Sequence, residues 1–331
     1  MTKIDFFKKS VTSLLLYSGF VGLYRKLFPN KDPLILMYHK LKKNEFEKQI
    51  KYLVSFYNII SLEEFLDFLE KNKPFKKNTV VITFDDGYLN NYNEVLPILK
   101  KFNLPATLFI TTGLIGKREL AWWDQIRYII DTTNIMNFKF EFDNLILNFN
   151  LKTKKDKIEA VNILHKVMSK YDYNKRISSI KKLKQTLKTD IKDFDLNEFL
   201  FMSWSQVTDF KNSGVEIGSH TVTHPFLSNI SPNEIKKELK DSKLQIEKKI
   251  GTKVKSFCYP SGNFDQGVKT LVKKAGYRCA CSIKLGFIDK ESNLYELKRV
   301  GVNINDNLGI FSLKVTKLWT IIRSKLIQNE Y

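Results

Sequence analysis

Short apolar runs alternate with longer segments of helical periodicity along most of this chain. Leu34-Ile-Leu-Met37-Tyr38 reads as a first buried strand ending at His39, after which Phe46, Ile50, Leu53 and Val54 recur at helical spacing. Ile59-Ile60 reads as a short strand, and Ser61-Leu-Glu-Glu64 is a capping-box pattern that opens a helix carrying Phe65, Leu66 and Leu69. The β-branched run from Thr79 to Phe84 has the composition of a strand buried on both faces. A helical pattern from Tyr92 to Phe102 contains Pro97, which predicts a helix start or kink there. Ala106–Ile110, Val215–Ser219, Ser256–Tyr259 and Tyr277–Ile283 are further strand candidates. Ser231-Pro-Asn-Glu234 combines an N-cap, a proline at N1 and a glutamate at N3; the helix it opens carries Ile235, Leu239, Ile246 and Ile250 on one stripe and ends at Gly251.

Six or seven such strand–helix units predict an α/β fold built as a distorted or incomplete (β/α) barrel. The rhythm breaks from Ala121 to about Leu200, a lysine-rich stretch that reads as a largely helical insertion on one face. The expected layout is therefore an N-terminal segment 1–31, a barrel over 32–305 with its insertion at about 121–200, and an amphipathic basic helix over 306–331. In the N-terminal segment an apolar run from Val11 to Tyr24 lies between Lys8-Lys9 and Arg25-Lys26. It is too short to span a bilayer, which takes about 20 apolar residues. Two readings stand: an anchor at a membrane surface, or a helix packed on the barrel.

Charge sharpens this picture. The net charge is +20 and the lysines are spread along the chain, a balance suited to an anionic membrane surface or an acidic glycan. No nucleic-acid-binding signature accompanies it, so nucleic acid is not an expected partner. The three cysteines, Cys258, Cys279 and Cys281, lack both disulfide-scaffold density and zinc spacing, and Cys279 and Cys281 share one face of a strand as core residues.

In barrels, chemistry gathers at the carboxyl ends of the strands, and His39, Asp85, Asp86, His220 and Pro260 all fall there. Two adjacent carboxylates, Asp85 and Asp86, need a cation or a shared proton to be tolerated at a buried strand end. His220-Thr-Val-Thr-His224 places two imidazoles close together, and with a strand-end carboxylate they make a plausible two-histidine, one-carboxylate site for Zn²⁺ or a similar ion. His165, on an apparent helix of the insertion, reads as a packed or solvated side chain. Trp122-Trp123, at the root of the insertion, reads as packing.

Thr83-Phe-Asp85-Asp86-Gly87, His220-Thr-Val-Thr-His224 and Tyr259-Pro260-Ser261-Gly262, in this order, resemble the motifs of the polysaccharide deacetylase family, the NodB-homology or carbohydrate esterase family 4 domain. The resemblance implies a barrel of the NodB-homology type and metal-dependent hydrolysis of N-acetyl groups on amino sugars. On it, Asp86, His220 and His224 hold the metal, most simply Zn²⁺; Asp85 is the base; and Tyr259, Pro260 and Ser261 border the substrate and its oxyanion. Two departures stand out. Cys258 occupies the place, two residues before the motif proline, where many members have a base-orienting arginine, and no histidine follows His224. Arg299 offers the missing charge from another strand. Met37-Tyr38-His39 is similar to the Tyr-His element of the permuted, exopolysaccharide-deacetylase-like branch, which makes His39 the general acid; its alternative reading is a satisfied core histidine.

The expected function is thus a hydrolase acting on a cell-envelope polysaccharide or lipid-linked saccharide, membrane-associated or exported. A catalytically inactive deacetylase-fold protein that binds N-acetylated glycan is the alternative.

Overall fold

The computed structural model of the protein describes residues 3–142, 145–190 and 199–328. Of the expected segments, residues 1–2, 143–144, 191–198 and 329–331 lie outside the described residues, as do the side chains of 3–8, Lys8 among them, and of 324–328. The chain opens with α1 (Lys3–Tyr17) and α2 (Phe20–Leu27), then runs β1 (Leu34–Tyr38), α3 (Lys43–Phe56), β2 (Asn58–Ile59), α4 (Leu62–Glu70), β3 (Thr79–Phe84), α5 (Leu96–Phe102) and β4 (Thr107–Ile110). The insertion follows as α6 (Trp122–Thr132), a hairpin of β5 (Asn137–Phe142) and β6 (Leu145–Asn150), α7 (Lys154–Met168) and α8 (Tyr173–Thr186). The regular alternation then resumes with α9 (Trp204–Asn212), β7 (Glu216–Ser219), α10 (Pro232–Ile250), β8 (Ser256–Cys258), α11 (Gln266–Lys274), β9 (Cys279–Leu285) and β10 (Leu297–Gly301). Two helices end it, α12 (Leu308–Lys314) and α13 (Lys317–Gln328), where one was expected.

Seven parallel strands close into a barrel in the order β1-β10-β9-β8-β7-β4-β3, because β1 pairs with β3 as well as with β10. The barrel is therefore closed, though distorted, and β2 hangs on β3 outside the ring. Side-chain alternation sorts the core into two layers. Leu36, Ile82, Leu108, Phe257 and Val300 face the surrounding helices. Ile35, Val81, Phe109, Cys279, Cys281 and Leu297 fill the lumen, plugged at the amino ends of the strands by Leu62, Phe65 and Leu66 of α4. By the same parity Thr83, Asp85 and Arg299 look into the lumen from above.

The insertion has a core of its own, in which Ile126, Ile129, Phe140, Leu164, Met168 and Leu183 are buried together. At the other end of the chain α1 packs on α12: a Cβ on Gly309 would lie 2.7 Å from the backbone of Thr12 and Ser13. The N-terminal helix thus packs on α12, while Leu14, Tyr17, Phe20, Leu23, Leu27 and Phe28 remain exposed.

Small residues make room in the lumen. Gly218 of β7 faces Phe109 so closely that a Cβ would lie 2.4 Å from the phenyl ring and 2.7 Å from Ser256 Oγ. Overpacking of this kind costs about 1–3 kcal/mol. We expect Gly218→Ala to lower the urea midpoint accordingly; an unchanged midpoint would show that the lumen has slack.

Candidate active site

Strand register decides which residues meet. Tyr38 pairs with Phe84 across β1 and β3, so His39 and Asp85 emerge side by side. Ile110 pairs with Ser219 across β4 and β7, and Ser219 with Phe257 across β7 and β8, which carries His220 to the end of β8. These ends open into a cavity of about 300 Å³ lined by His39, Asp85, Asp86, His220, His224, Tyr259 and Ser261, and also by Trp122, Trp123, His165, Phe226 and Ile283.

The two acids have separate partners. Asp85 is forked by Arg299, with Nη1 donating to Oδ1 at 2.8 Å and Nη2 to Oδ2 at 2.7 Å. Arg299 is itself fixed by donating through Nε to the Ser282 carbonyl at 2.8 Å and through Nη1 to Thr83 Oγ1 at 3.1 Å. Burial pushes Asp85 upward, but the charge and hydrogen bonds of Arg299 outweigh it and hold the carboxyl well below the usual range. Cys258, the residue standing in the arginine's familiar place, lies against this pair at 3.0 Å from Arg299 Nη2. Burial pushes its thiol well up, so it stays protonated there.

Asp86 points the other way. Its Oδ1 lies 3.5 Å from His220 Nε2 and 3.7 Å from His224 Nε2, too far for hydrogen bonds. Both Asp86 Oδ1 and His224 Nδ1 are buried with no hydrogen-bond partner among the described residues. Zinc–ligand bonds of about 2.0–2.2 Å place neighbouring tetrahedral donors about 3.4 Å apart, so this spacing fits three donors around one ion. Tautomer and charge agree. His220 Nδ1 donates to the Cys258 carbonyl at 2.7 Å, which leaves Nε2 a lone pair facing Asp86. Burial lowers the pKa of His220 and drives that of His224 well below its ordinary value, so both are neutral. Burial also pushes Asp86 up: a carboxylate short of a cation. A second grouping, Asp85, His220 and Cys258, fits an ion poorly, because Arg299 already saturates Asp85 and the thiol is protonated.

Backbone strain marks the same residues. Of the eight described non-glycine residues with left-handed backbone, four lie here, Asp86 (φ 76), Thr221 (φ 68), His224 (φ 54) and Ser261 (φ 52), each costing about 1–3 kcal/mol. Glu238 of α10 braces the loop between the histidines, accepting from the backbone N–H of Val222 at 2.7 Å and of Thr223 at 3.0 Å. The HTVTH stretch is accordingly a strained loop and not a helical turn.

His39 is 46% exposed at the cavity mouth, with Nε2 3.9 Å from Asp85 Oδ2, which sets aside its reading as a core histidine. Tyr259 is buried and donates its hydroxyl to the Tyr295 carbonyl at 2.9 Å, Pro260 is buried behind it, and Ser261 lines the cavity. Sequence reasoning left Trp122, Trp123 and His165 out of the site. All three line it, although His165 contacts the Trp123 carbonyl at 2.9 Å and is a packed histidine, as expected. Their one sequence signal was position, at the junction where the insertion leaves the barrel.

The family model described as polysaccharide deacetylase matches residues 72–280, more than half of the chain. The poly-beta-1,6-N-acetyl-D-glucosamine N-deacetylase of Staphylococcus aureus is 25% identical over 263 residues, 79% of this chain and 67% of that protein. Among solved structures, the Streptococcus pyogenes deacetylase PplD in complex with acetate superposes with a TM-score of 0.58 at 20% identity, covering 87% of this chain and 99% of that one. IcaB from Ammonifex degensii gives a TM-score of 0.57 at 16% identity, with the same coverage. These structures establish likeness of fold. The family match goes further: this chain belongs to the polysaccharide deacetylase family, enzymes that hydrolyse N-acetyl amide bonds.

Proposed function

We propose that the protein is a metal-dependent deacetylase removing N-acetyl groups from amino sugars of a cell-envelope polysaccharide or lipid-linked saccharide. The observation that carries this reading is the separation of the two carboxylates, Asp85 bound to Arg299 and Asp86 facing two neutral histidines. Asp86, His220 and His224 would hold the ion, and the two-imidazole, one-carboxylate set suits Zn²⁺. When bound there, it supplies a Lewis acid that polarises the acetyl carbonyl and makes water a nucleophile near neutral pH.

The other roles follow from placement. Asp85, kept ionised by Arg299, takes the proton of the attacking water. Arg299 makes no contact with substrate in this reading; it orients the base. His39, beside Asp85 and open to the cavity mouth, gives a proton to the departing amine. The Ser261 backbone N–H, presented by its left-handed turn, stabilises the oxyanion, and Tyr259 lines the cavity beside it, whereas Pro260 is buried and does not line the cavity. Trp122, Trp123 and Phe226 offer apolar faces to a sugar ring. The inactive glycan-binding alternative rested on Cys258 and on the missing late histidine; the fork of Arg299 on Asp85 and the closeness of His39 to it favour the active reading.

We also assign the exposed apolar face of α1 and α2 to an anionic membrane surface. No described helix is long and apolar enough to cross a bilayer. Leu14 is 69% and Tyr17 81% exposed, and the chain carries a net charge of +20, so apolar insertion and attraction to acidic headgroups act together. Such a surface would hold the enzyme in the cell envelope beside its substrate.

Three outcomes are expected. The purified protein should bind one metal ion and release acetate from N-acetylglucosamine oligomers, β-1,6-linked ones included, while Asp86→Ala and His220→Ala lose both; metal without acetate from any oligomer would sink the substrate class. Arg299→Ala should cost about 3–5 kcal/mol in urea unfolding, since it strands a buried carboxylate. Without the arginine, burial is the largest influence left on Asp85 and its pKa rises, so the acid limb of the pH–rate profile should move to higher pH. Arg299→Lys should restore part of the loss, because it keeps the charge but not the fork. An Arg299→Ala enzyme with an unshifted profile would remove Asp85 as the base. Finally, the protein should sediment with phosphatidylcholine vesicles containing phosphatidylglycerol, less so at high salt, and Leu14→Glu/Leu23→Glu/Leu27→Glu should release it; undiminished binding of that variant would refute the membrane face.

A further inference from the structure

The Trp122-Trp123-Asp124 motif at the root of the insertion does more than offer apolar faces to a sugar ring, because it touches three elements of the site. The two candidate metal-binding histidines are held differently. His220 is locked through its outer nitrogen by the Cys258 carbonyl, whereas the outer nitrogen of His224 is buried and has no partner among the described residues. Its backbone N–H donates to Thr221 Oγ1 at 3.0 Å, but that bond leaves the ring free to turn. The ring is packed between His220, edge-on at 4.8 Å between centroids, and Trp123, in a tilted contact at 4.2 Å and 44° between planes; of the two, Trp123 comes from outside the candidate ligand set.

Trp123 is held in turn by a chain of hydrogen bonds. Its indole Nε1 donates to the Tyr88 hydroxyl at 2.8 Å, and that hydroxyl donates to Asp124 Oδ2 at 2.7 Å. The other oxygen of Asp124, which is 6% exposed, lies 3.6 Å from Lys40 Nζ. Lys40 also sits over the Tyr88 ring at 4.4 Å. Tyr88 follows Asp86 by two residues and Lys40 follows His39 by one, so Asp124 ties together the ends of β1 and β3 and, through Trp123, the His224 loop.

We propose that Asp124 is a positioning residue for the metal centre, acting through Tyr88 and Trp123 to fix the His224 ring. This rests on the reading of Asp86, His220 and His224 as the metal ligands. The insertion then builds the site it borders, because α6 supplies the outer contact that the bare histidine lacks. Removing such an outer partner typically weakens metal binding about 10–100-fold.

The test measures Zn²⁺ affinity of the metal-stripped full chain by competition with a chromophoric chelator, and the visible absorption of the Co²⁺-loaded protein. Asp86→Ala tests the ligand assignment itself. Tyr88→Phe keeps the ring and its packing but cuts the hydrogen-bond chain, Trp123→Phe keeps an aromatic face but loses the indole N–H, and Asp124→Asn removes the charge. Each is expected to loosen Zn²⁺ at least tenfold and to shift the Co²⁺ band, which a general loss of stability does not move while the protein remains folded. Tyr88→Phe/Asp124→Asn is expected to be no looser than the weaker-binding single variant, because both break one chain. If Asp86→Ala abolishes binding while Tyr88→Phe and Asp124→Asn keep wild-type affinity and spectrum, the positioning role is overturned. Wild-type affinity in Asp86→Ala overturns the ligand assignment and this proposal with it.

Discussion

Two carboxylates on consecutive residues at the end of a buried strand cannot share one environment. Asp85 and Asp86 are 2% and 4% exposed, and in so dry a setting each requires its own counter-charge. The chain meets this by turning them apart. Asp85 keeps the parity of Val81 and Thr83 and looks into the lumen, where Arg299 forks it. Asp86 leaves that parity through a left-handed backbone, which Gly87 at φ 90 continues, and so faces His220 and His224. The strain at Asp86 is thus the local cost of turning one acid to a fixed cation and the other toward two histidines.

Barrel closure is what makes this division possible. Arg299 lies 214 residues from Asp85 in sequence and reaches it because β1 pairs with both β10 and β3, bringing the last strand next but one to the acidic strand. A parallel ring also sets His39, Asp85, His220 and Ser261 at one level, since each follows the carboxyl end of its strand. Small lumen residues, Gly218 and the three cysteines, leave the volume that Phe109 and the arginine occupy.

Much of this was legible in the sequence because period and punctuation were strong. The β/α alternation, the capping box at Ser231, and the order of the acidic and histidine motifs gave the architecture and the residues that meet at the candidate site. Arg299 was reachable by asking which cation could replace the one missing at position 258. Closure was not legible, because the β1–β3 pairing is a matter of register across the ring rather than of either strand's composition. Nor was the division of the C-terminal segment, where α12 ends at Val315 although apolar and basic residues continue into α13. The contact of Trp123 with His224 links residues about a hundred positions apart, and no local periodicity records it. The tryptophans read as packing because they do pack: Trp122 is 7% exposed and belongs to the insertion's core while one edge meets the cavity.

The departure at position 258 is coupled to the fold. An arginine at position 258 would enter the lumen between Asp85 and Arg299, where the Cys258 thiol already stands 3.5 Å from Asp85 Oδ2. Two guanidinium groups cannot fork one buried carboxylate, since the second would be left desolvated and unpaired. With the cation on β10, position 258 has room only for a small, neutral side chain, and a buried thiol held in its protonated form meets both conditions. Its backbone carbonyl remains free of that exchange and serves His220, so the identity of the side chain at 258 can change while the histidine keeps its tautomer. The same strand end thus supplies a side chain chosen for what it leaves out and a main-chain group that fixes the tautomer of His220.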